Sequence, residues 1–333
     1  MYSEEDLNRA IEAEVLTTDS VQAFRRLISE HRQSPRVDEE NFKLFTGFND
    51  IFVVIAAFLM LISLYWITSS INSTLSSIVV VSFTWILSEI FVRKRKMPFP
   101  AIMLLLVFSF SLFLGLIEYF QTALVLSEPH ASMIASALTA LAVFVHWKRF
   151  RVPITVAIGM GTFIILILST LLSISIEFKE YLVFFIFIAG IVSFVLAMYW
   201  DASDTQRLTS NADIAFWLHL LSSPLIVHSI FVMLGVFNEE ANTVTTFISM
   251  IVLYAILSFV SLVIDRRIFM ISSIFYVLYA FTSLFGSYGL IDNTFALAGL
   301  LLGVYLLLIS IFWHQIRAKL VAFLPDKVRS LLP

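Results

Sequence analysis

The residues best suited to chemistry cluster in one stretch. Asp201-x-x-Asp204-x-x-Arg207 leads into Asp213-Ile-Ala-Phe-Trp217-Leu-His219-Leu-Leu-Ser-Ser223-Pro224-Leu-Ile-Val-His228. Imidazole gains and loses a proton near physiological pH, so His219 and His228 are candidates for proton relay or ligand binding. Pro224 has no backbone N–H, which leaves the carbonyl of Leu220 without its helical partner and opens the helix there. Ser222 and Ser223 are placed to repair that turn. Asp201, Asp204 and Arg207 form a compact charged joint, and Arg207 with Asp213 is the expected gate pair. At about 100° per residue, Asp213, Trp217, Pro224 and His228 share one helix side, while His219 and Ser223 lie opposite. Both histidines can therefore face one cavity only if the kink turns them together. Plainer roles compete: Asp213 with Ser210 as a helix cap, and a buried histidine as a satisfied packing residue.

Other chemistry is excluded. The chain has no cysteine, which removes thiolate metal sites, disulfides and cysteine nucleophiles. It carries no glycine-rich phosphate loop, no H-E-x-x-H pair and no G-x-S-x-G elbow. No catalytic residue, metal site or cofactor is expected. The remaining scattered charges have local explanations. Glu89 and Arg93 form an i,i+4 pair, and Asp265 abuts Arg266 and Arg267. Asn49 and Asp50 open a helix as its cap. His146-Trp147 and Trp313-His314 sit at helix ends, where amphipathic rings anchor at headgroups.

The elements that must carry these residues follow from composition. Of 333 residues, 59% are hydrophobic and only 14% charged, and mean hydropathy is +0.94. A soluble globule carries roughly a quarter charged residues, so this chain cannot cover itself in water. A net charge of −3 gives no basic field for nucleic acid. Apolar runs of about 20 residues, the length of a membrane crossing, recur ten times. They cover roughly 48–68, 74–92, 99–120, 131–147, 153–176, 180–200, 213–236, 243–264, 268–289 and 294–316. The expected fold is an all-α polytopic transmembrane bundle of ten spans.

Charge orients the bundle. Joints after even-numbered spans hold Arg93, Lys94, Arg95, Lys96, Lys148, Arg149, Arg151, Arg207, Arg266 and Arg267, and the tail adds Arg317, Lys319, Lys327 and Arg329. Joints after odd-numbered spans hold Lys179 with Glu128, Glu177, Glu239, Glu240 and Asp292. Fourteen cations against one place both termini in the cytoplasm. No cleavable signal precedes the first span.

Three regions result. Residues 1–47 read as a cytoplasmic amphipathic helical hairpin and linker, with caps at Ser3 and at Thr17-Thr18-Asp19-Ser20. Apolar stripes follow at Leu7, Ala10, Ile11 and Val15, then at Val21, Phe24, Leu27 and Ile28. Residues 48–316 are the membrane domain and 317–333 a basic cytoplasmic tail. The partners expected are membrane lipids, a cytoplasmic protein for residues 3–33, and a second copy of the chain through Gly299-x-x-x-Gly303. Gly159-x-Gly161 is expected to let helices approach within the bundle.

The stretches GFNDIFVVIA (47–56) and DASDTQRLTSNADIAFWLHLLSSPLIVH (201–228) resemble a bacterial family of polytopic inner-membrane proteins of unknown function. The helical prelude at 3–33 is similar to the short cytoplasmic segment with which such families begin. That resemblance implies the bacterial inner membrane and no particular substrate. Ten spans with little outside them, and a broken helix bearing histidine near its middle, point to a small-solute or ion transporter or channel. The alternatives are a non-catalytic scaffold or sensor using the N-terminal helices, and an intramembrane enzyme acting on lipid.

Overall fold

A computed structural model describes residues 7, 10–24, 47–205, 207, 209–235, 244–287, 294–329 and 332. The expected cap at Ser3, the stripe residues Leu27 and Ile28, and the acids Glu239, Glu240 and Asp292 lie outside them. The chain divides into two compact units, Met1–Asn41 and Phe42–Pro333. In the first, residues 10–12 end a helix and residues 18–24 begin another. Thr17 and Ser20 cap the second reciprocally: Ser20 N donates to Thr17 Oγ1 at 3.2 Å, and Thr17 N to Ser20 Oγ at 3.0 Å. Both satisfy backbone donors that a helix start would otherwise leave open.

The second unit is helical, and no strand occurs among the described residues. Its helices are α1 (Phe48–Ser69), α2 (Ser73–Ser88), α3 (Pro98–Thr122), α4 (Glu128–Phe150) and α5 (Ile154–Ile174). Then come α6 (Leu182–Ser203), α7 (Ser210–Met233), α8 (Val244–Ile264), α9 (Ile268–Ser287), α10 (Thr294–Ala322) and the short α11 (Asp326–Arg329). A π-helical turn, Glu89–Lys94, prolongs α2, and a 3-10 turn, Ile176–Tyr181, leads into α6. Among the described residues nine helices are long and apolar enough to cross a membrane. The chain is thus a multi-pass integral membrane protein. In α9 the apolar stretch within the described side chains is Ile268–Tyr279, shorter than a full crossing.

Two helix starts differ from expectation. Gly47, not Asn49 or Asp50, precedes α1, and Asp50 lies inside the helix, 2% exposed. Thr209, not Ser210, caps α7, its side chain accepting from Asn211 N at 3.2 Å. In each case the extended residue falls just before the sequence expectation, which leaves the carboxylate inside the first turn.

The basic joints share a device. Lys96, Arg151, Arg207 and Asp265 all take left-handed backbone, with φ of 52°, 52°, 53° and 57°. A left-handed residue after a helix stops it and reverses the chain at once. Side chains rarely adopt that conformation, at a cost of about 1 kcal/mol or more each. The packing of the paired helices offsets it.

α7 is the centre of the packing. Of its membrane window 56% is buried, against 17% for α1, for the α6 span and for α10. It packs on α5 and α6 through Ile214 and Leu218, and on α8 and α9 through Val227 and Phe231. Its partner α6 buries one stripe, Gly190, Ser193, Ala197 and Asp201, at the three- and four-residue spacing of one helix face. Small side chains bring the two backbones together, and the stripe ends in a carboxylate. A Cβ on Gly190 would stand 2.8 Å from Ile226 Cγ1 and 3.0 Å from its backbone nitrogen. Gly190→Val is therefore expected to destabilise the protein by about 1–3 kcal/mol through overpacking. Thermal unfolding in detergent checks this; an unchanged midpoint would disprove the close α6–α7 seam.

Candidate functional site

The buried stripe of α6 delivers Asp201 into contact with α7. His219 Nε2 donates to Asp201 Oδ2 at 2.8 Å, and both side chains are 0% exposed. From the joint between α8 and α9, Arg266 completes the group: Nη2 donates to Asp201 Oδ1 at 2.6 Å, and Nε to Oδ2 at 3.4 Å. The fork of the guanidinium matches the two carboxylate oxygens, and Nη2 also reaches the Ala212 carbonyl at 3.3 Å. Arg266 is held by its own backbone, whose N–H donates to Ser261 O at 3.0 Å while Ser261 Oγ donates to Arg266 O. The imidazole lies against Phe194 and Phe269, with ring centroids at 5.5 and 6.2 Å. Its Nδ1 is buried with no hydrogen-bond partner among the described residues.

A second pair crosses the first. Arg207 Nη1 meets Asp265 Oδ2 at 3.2 Å, and its Nη2 donates to the Asp265 carbonyl at 3.1 Å. Trp313 Nε1 donates to Asp265 Oδ1 at 2.8 Å, Arg317 Nε lies 3.5 Å from the same oxygen, and Arg267 stacks over the Trp313 ring at 4.8 Å. The last turn of α6 thus gives Asp201 and takes Arg266, and the joint that follows it gives Arg207 and takes Asp265. Each hairpin end supplies one acid and one base to the other. This reciprocal clasp ties two helical hairpins together at one end of the bundle, and α10 is fastened to it through Trp313.

The expected site residues separate into two groups. His219, Ser222 and Ser223 are buried on the α7 face that meets neighbouring helices. Ser222 Oγ bonds the His219 carbonyl at 3.2 Å, and Ser223 Oγ approaches the Ile268 carbonyl at 3.4 Å. Neither hydroxyl is bonded to the Leu220 carbonyl that Pro224 leaves open. Pro224 and His228 are exposed, Asp213 and Trp217 half-buried, so the two histidines do not converge. α7 runs unbroken through Pro224. His228 Nδ1 pairs with Tyr276 Oη at 2.6 Å, beside the stacked rings of Tyr276 and Phe231.

The joint residues also divide. Asp201 belongs to the His219–Arg266 group, and Arg207 bonds Asp265 where Asp213 was the expected partner. Asp204 turns back to accept from Thr209 N and Oγ1 at 2.8 and 2.7 Å. Asp265 bonds Arg207 and Trp313 where its sequence neighbours were expected, because left-handed backbone at 265 sends successive side chains apart.

Trp313 is 1% exposed and bonded, not a headgroup anchor, and His146 is also buried, at 1%. Trp85, Phe108 and Phe150 enclose the His146 ring at 5.8, 5.6 and 4.5 Å. Arg266 is the site residue that sequence reasoning missed, having been counted as an orienting cation and as a sequence neighbour of Asp265. The signal was the small-residue stripe of α6, which aims Asp201 into the bundle, where a carboxylate requires a counter-charge.

Among the described residues no three histidine, aspartate or glutamate side chains converge as a metal site would need. Compared with known proteins, the chain matches no protein family, no curated protein and no solved structure.

Proposed function

We propose that this protein is a small-solute or ion transporter of ten spans, with both termini cytoplasmic, and that the reciprocal clasp is its cytoplasmic gate. One observation carries the reading: His219 is inserted into a fully buried Asp201–Arg266 pair that joins two helical hairpins. Ionisable groups inside a membrane bundle are costly and mark pathways or relays by default. A gate needs bonds strong enough to close one end, yet breakable by a change in charge. Protonating His219 would place a second cation on Asp201, in competition with Arg266, and so loosen the joint. The fourteen cations collected at the even joints and tail support the orientation, and the resemblance supports a bacterial inner membrane.

The test uses proteoliposomes carrying an imposed pH gradient, with pyranine reporting lumenal pH. Amino acids, sugars and small organic ions are added in turn. At least one is expected to drive proton movement, which His219→Gln and Asp201→Asn abolish while each variant remains monodisperse. Absence of movement with every solute, or equal movement in both variants, would overturn the reading.

A further inference from the structure

A cavity of about 440 Å³ lies between α3, α5 and α7. Packed interiors hold few voids larger than a water molecule, and ligand pockets begin near 300 Å³. Its walls are apolar, including Leu106, Phe113, Ile158 and Leu221, and it is open to the outside, where the lining residue Phe110 is 62% exposed. The two hydroxyls in the lining are already committed. Ser109 Oγ donates to Leu105 O at 2.8 Å, and Thr162 Oγ1 to Gly159 O at 2.9 Å. An occupant is thus offered mainly hydrocarbon contact, with both hydroxyl protons already donated elsewhere.

One end of this cavity lies beneath concentrated charge. Its lining begins at Ile154, the first residue of α5. Arg151 stands three residues earlier, within about 10 Å by chain length. The joint before α5 exposes Lys148, Arg149 and Arg151, and the joint before α3 exposes Arg93, Lys94, Arg95 and Lys96. The joints converge on one acid: Glu89 accepts from Arg149 Nε at 2.7 Å and from Arg93 Nη1 at 3.2 Å. Two of these seven exposed cations, Arg93 and Arg149, are paired with Glu89, and Arg151 stands nearest in sequence to the apolar groove. Basic pockets between membrane helices select anionic headgroups.

We infer that this groove binds a membrane lipid with an anionic phosphate headgroup, one chain lying in the cavity and the phosphate beneath the joints at 93–96 and 148–151. A zwitterionic lipid would fill the same hydrocarbon space without the charge gain. Each lysine or arginine near an anionic headgroup changes binding by about five-fold. The inference is independent of the transport reading, because its readout is lipid occupancy and not flux.

The test places the full chain in phosphatidylcholine vesicles containing brominated phosphatidylglycerol, or the reverse pair. Bromine quenches nearby indole, and Trp217 lines the cavity; Trp217→Phe identifies its share of the signal. Brominated phosphatidylglycerol is expected to quench Trp217 at least about five-fold more effectively than brominated phosphatidylcholine. Lys148→Gln with Arg151→Gln should bring the two lipids level. Gly161→Phe, which fills the cavity, should abolish quenching by both. Equal quenching in the wild type, or undiminished quenching in Gly161→Phe, would overturn the assignment, as would equal displacement by chain-free glycerol phosphate. Should Gly161→Phe fail to fold, phosphatidylglycerol with a diazirine-tipped chain is photolysed on the wild type. Labelling of residues 106–113 and 154–165 supports the site, and labelling confined elsewhere refutes it.

Discussion

Arg266→Met is expected to lower the stability of the protein by about 3–5 kcal/mol, the range for removing one partner of a buried ion pair. The loss comes chiefly from what remains. Asp201 would stay 0% exposed with His219 as its one remaining side-chain partner among the described residues, and a carboxylate without a counter-charge is expensive in such surroundings. The companion variant separates that penalty from packing. Asp201→Asn combined with Arg266→Met removes both charges while the amide oxygen still accepts from His219. The double variant should recover most of the loss, because burying a matched pair is often no better than burying apolar groups. Unfolding midpoints of the wild type, Arg266→Met, Asp201→Asn and the double variant in one detergent measure this. A single variant that melts like the wild type would mean that Arg266 is not the counter-ion.

Asp265→Asn should cost less, about 2–3 kcal/mol, as expected for hydrogen bonds to a charged group. Asparagine tolerates left-handed backbone, so the turn at φ 57° survives and the change isolates the charge. The amide can still accept from Trp313. Arg207, whose side chain is 6% exposed, keeps the backbone carbonyl of residue 265 but loses the carboxylate. The same variant should alter Trp313 emission, since that indole sits at 1% exposure against the affected side chain. An unchanged midpoint together with unchanged emission would show that Asp265 does not fasten α10 to the joints.

Helix positions were legible because in this chain hydrophobic length is the dominant signal. The expected run at 213–236 appears as Ser210–Met233, and that at 99–120 as Pro98–Thr122. α10 extends to Ala322, past the expected 316, because Gln315 to Ala322 keeps helix-forming residues and nothing stops it before Leu324-Pro325. The helix-face arithmetic on α7 also holds: His219 and Ser223 are buried, whereas Pro224 and His228 are exposed. Pairing across joints was not legible. Asp265 stands beside two arginines in sequence, yet backbone handedness at one residue sends it to Arg207. Short-range spacing cannot report that choice. Aromatic residues near helix ends misled for a related reason: Trp313 and His146 have the composition of headgroup anchors, and only their neighbours show them to be interior.

The left-handed joints have a consequence for biosynthesis. Three of the four connect their helices through only three residues, and the fourth through six, each with its reversal fixed locally. Such a turn can form as soon as the second helix leaves the ribosome. The spans α2–α3, α4–α5, α6–α7 and α8–α9 can then reach the bilayer as preassembled couples. The reciprocal ion pairs are made between couples, not within one, so they register the quality of late assembly: a misdocked couple would strand an arginine and an aspartate in oil.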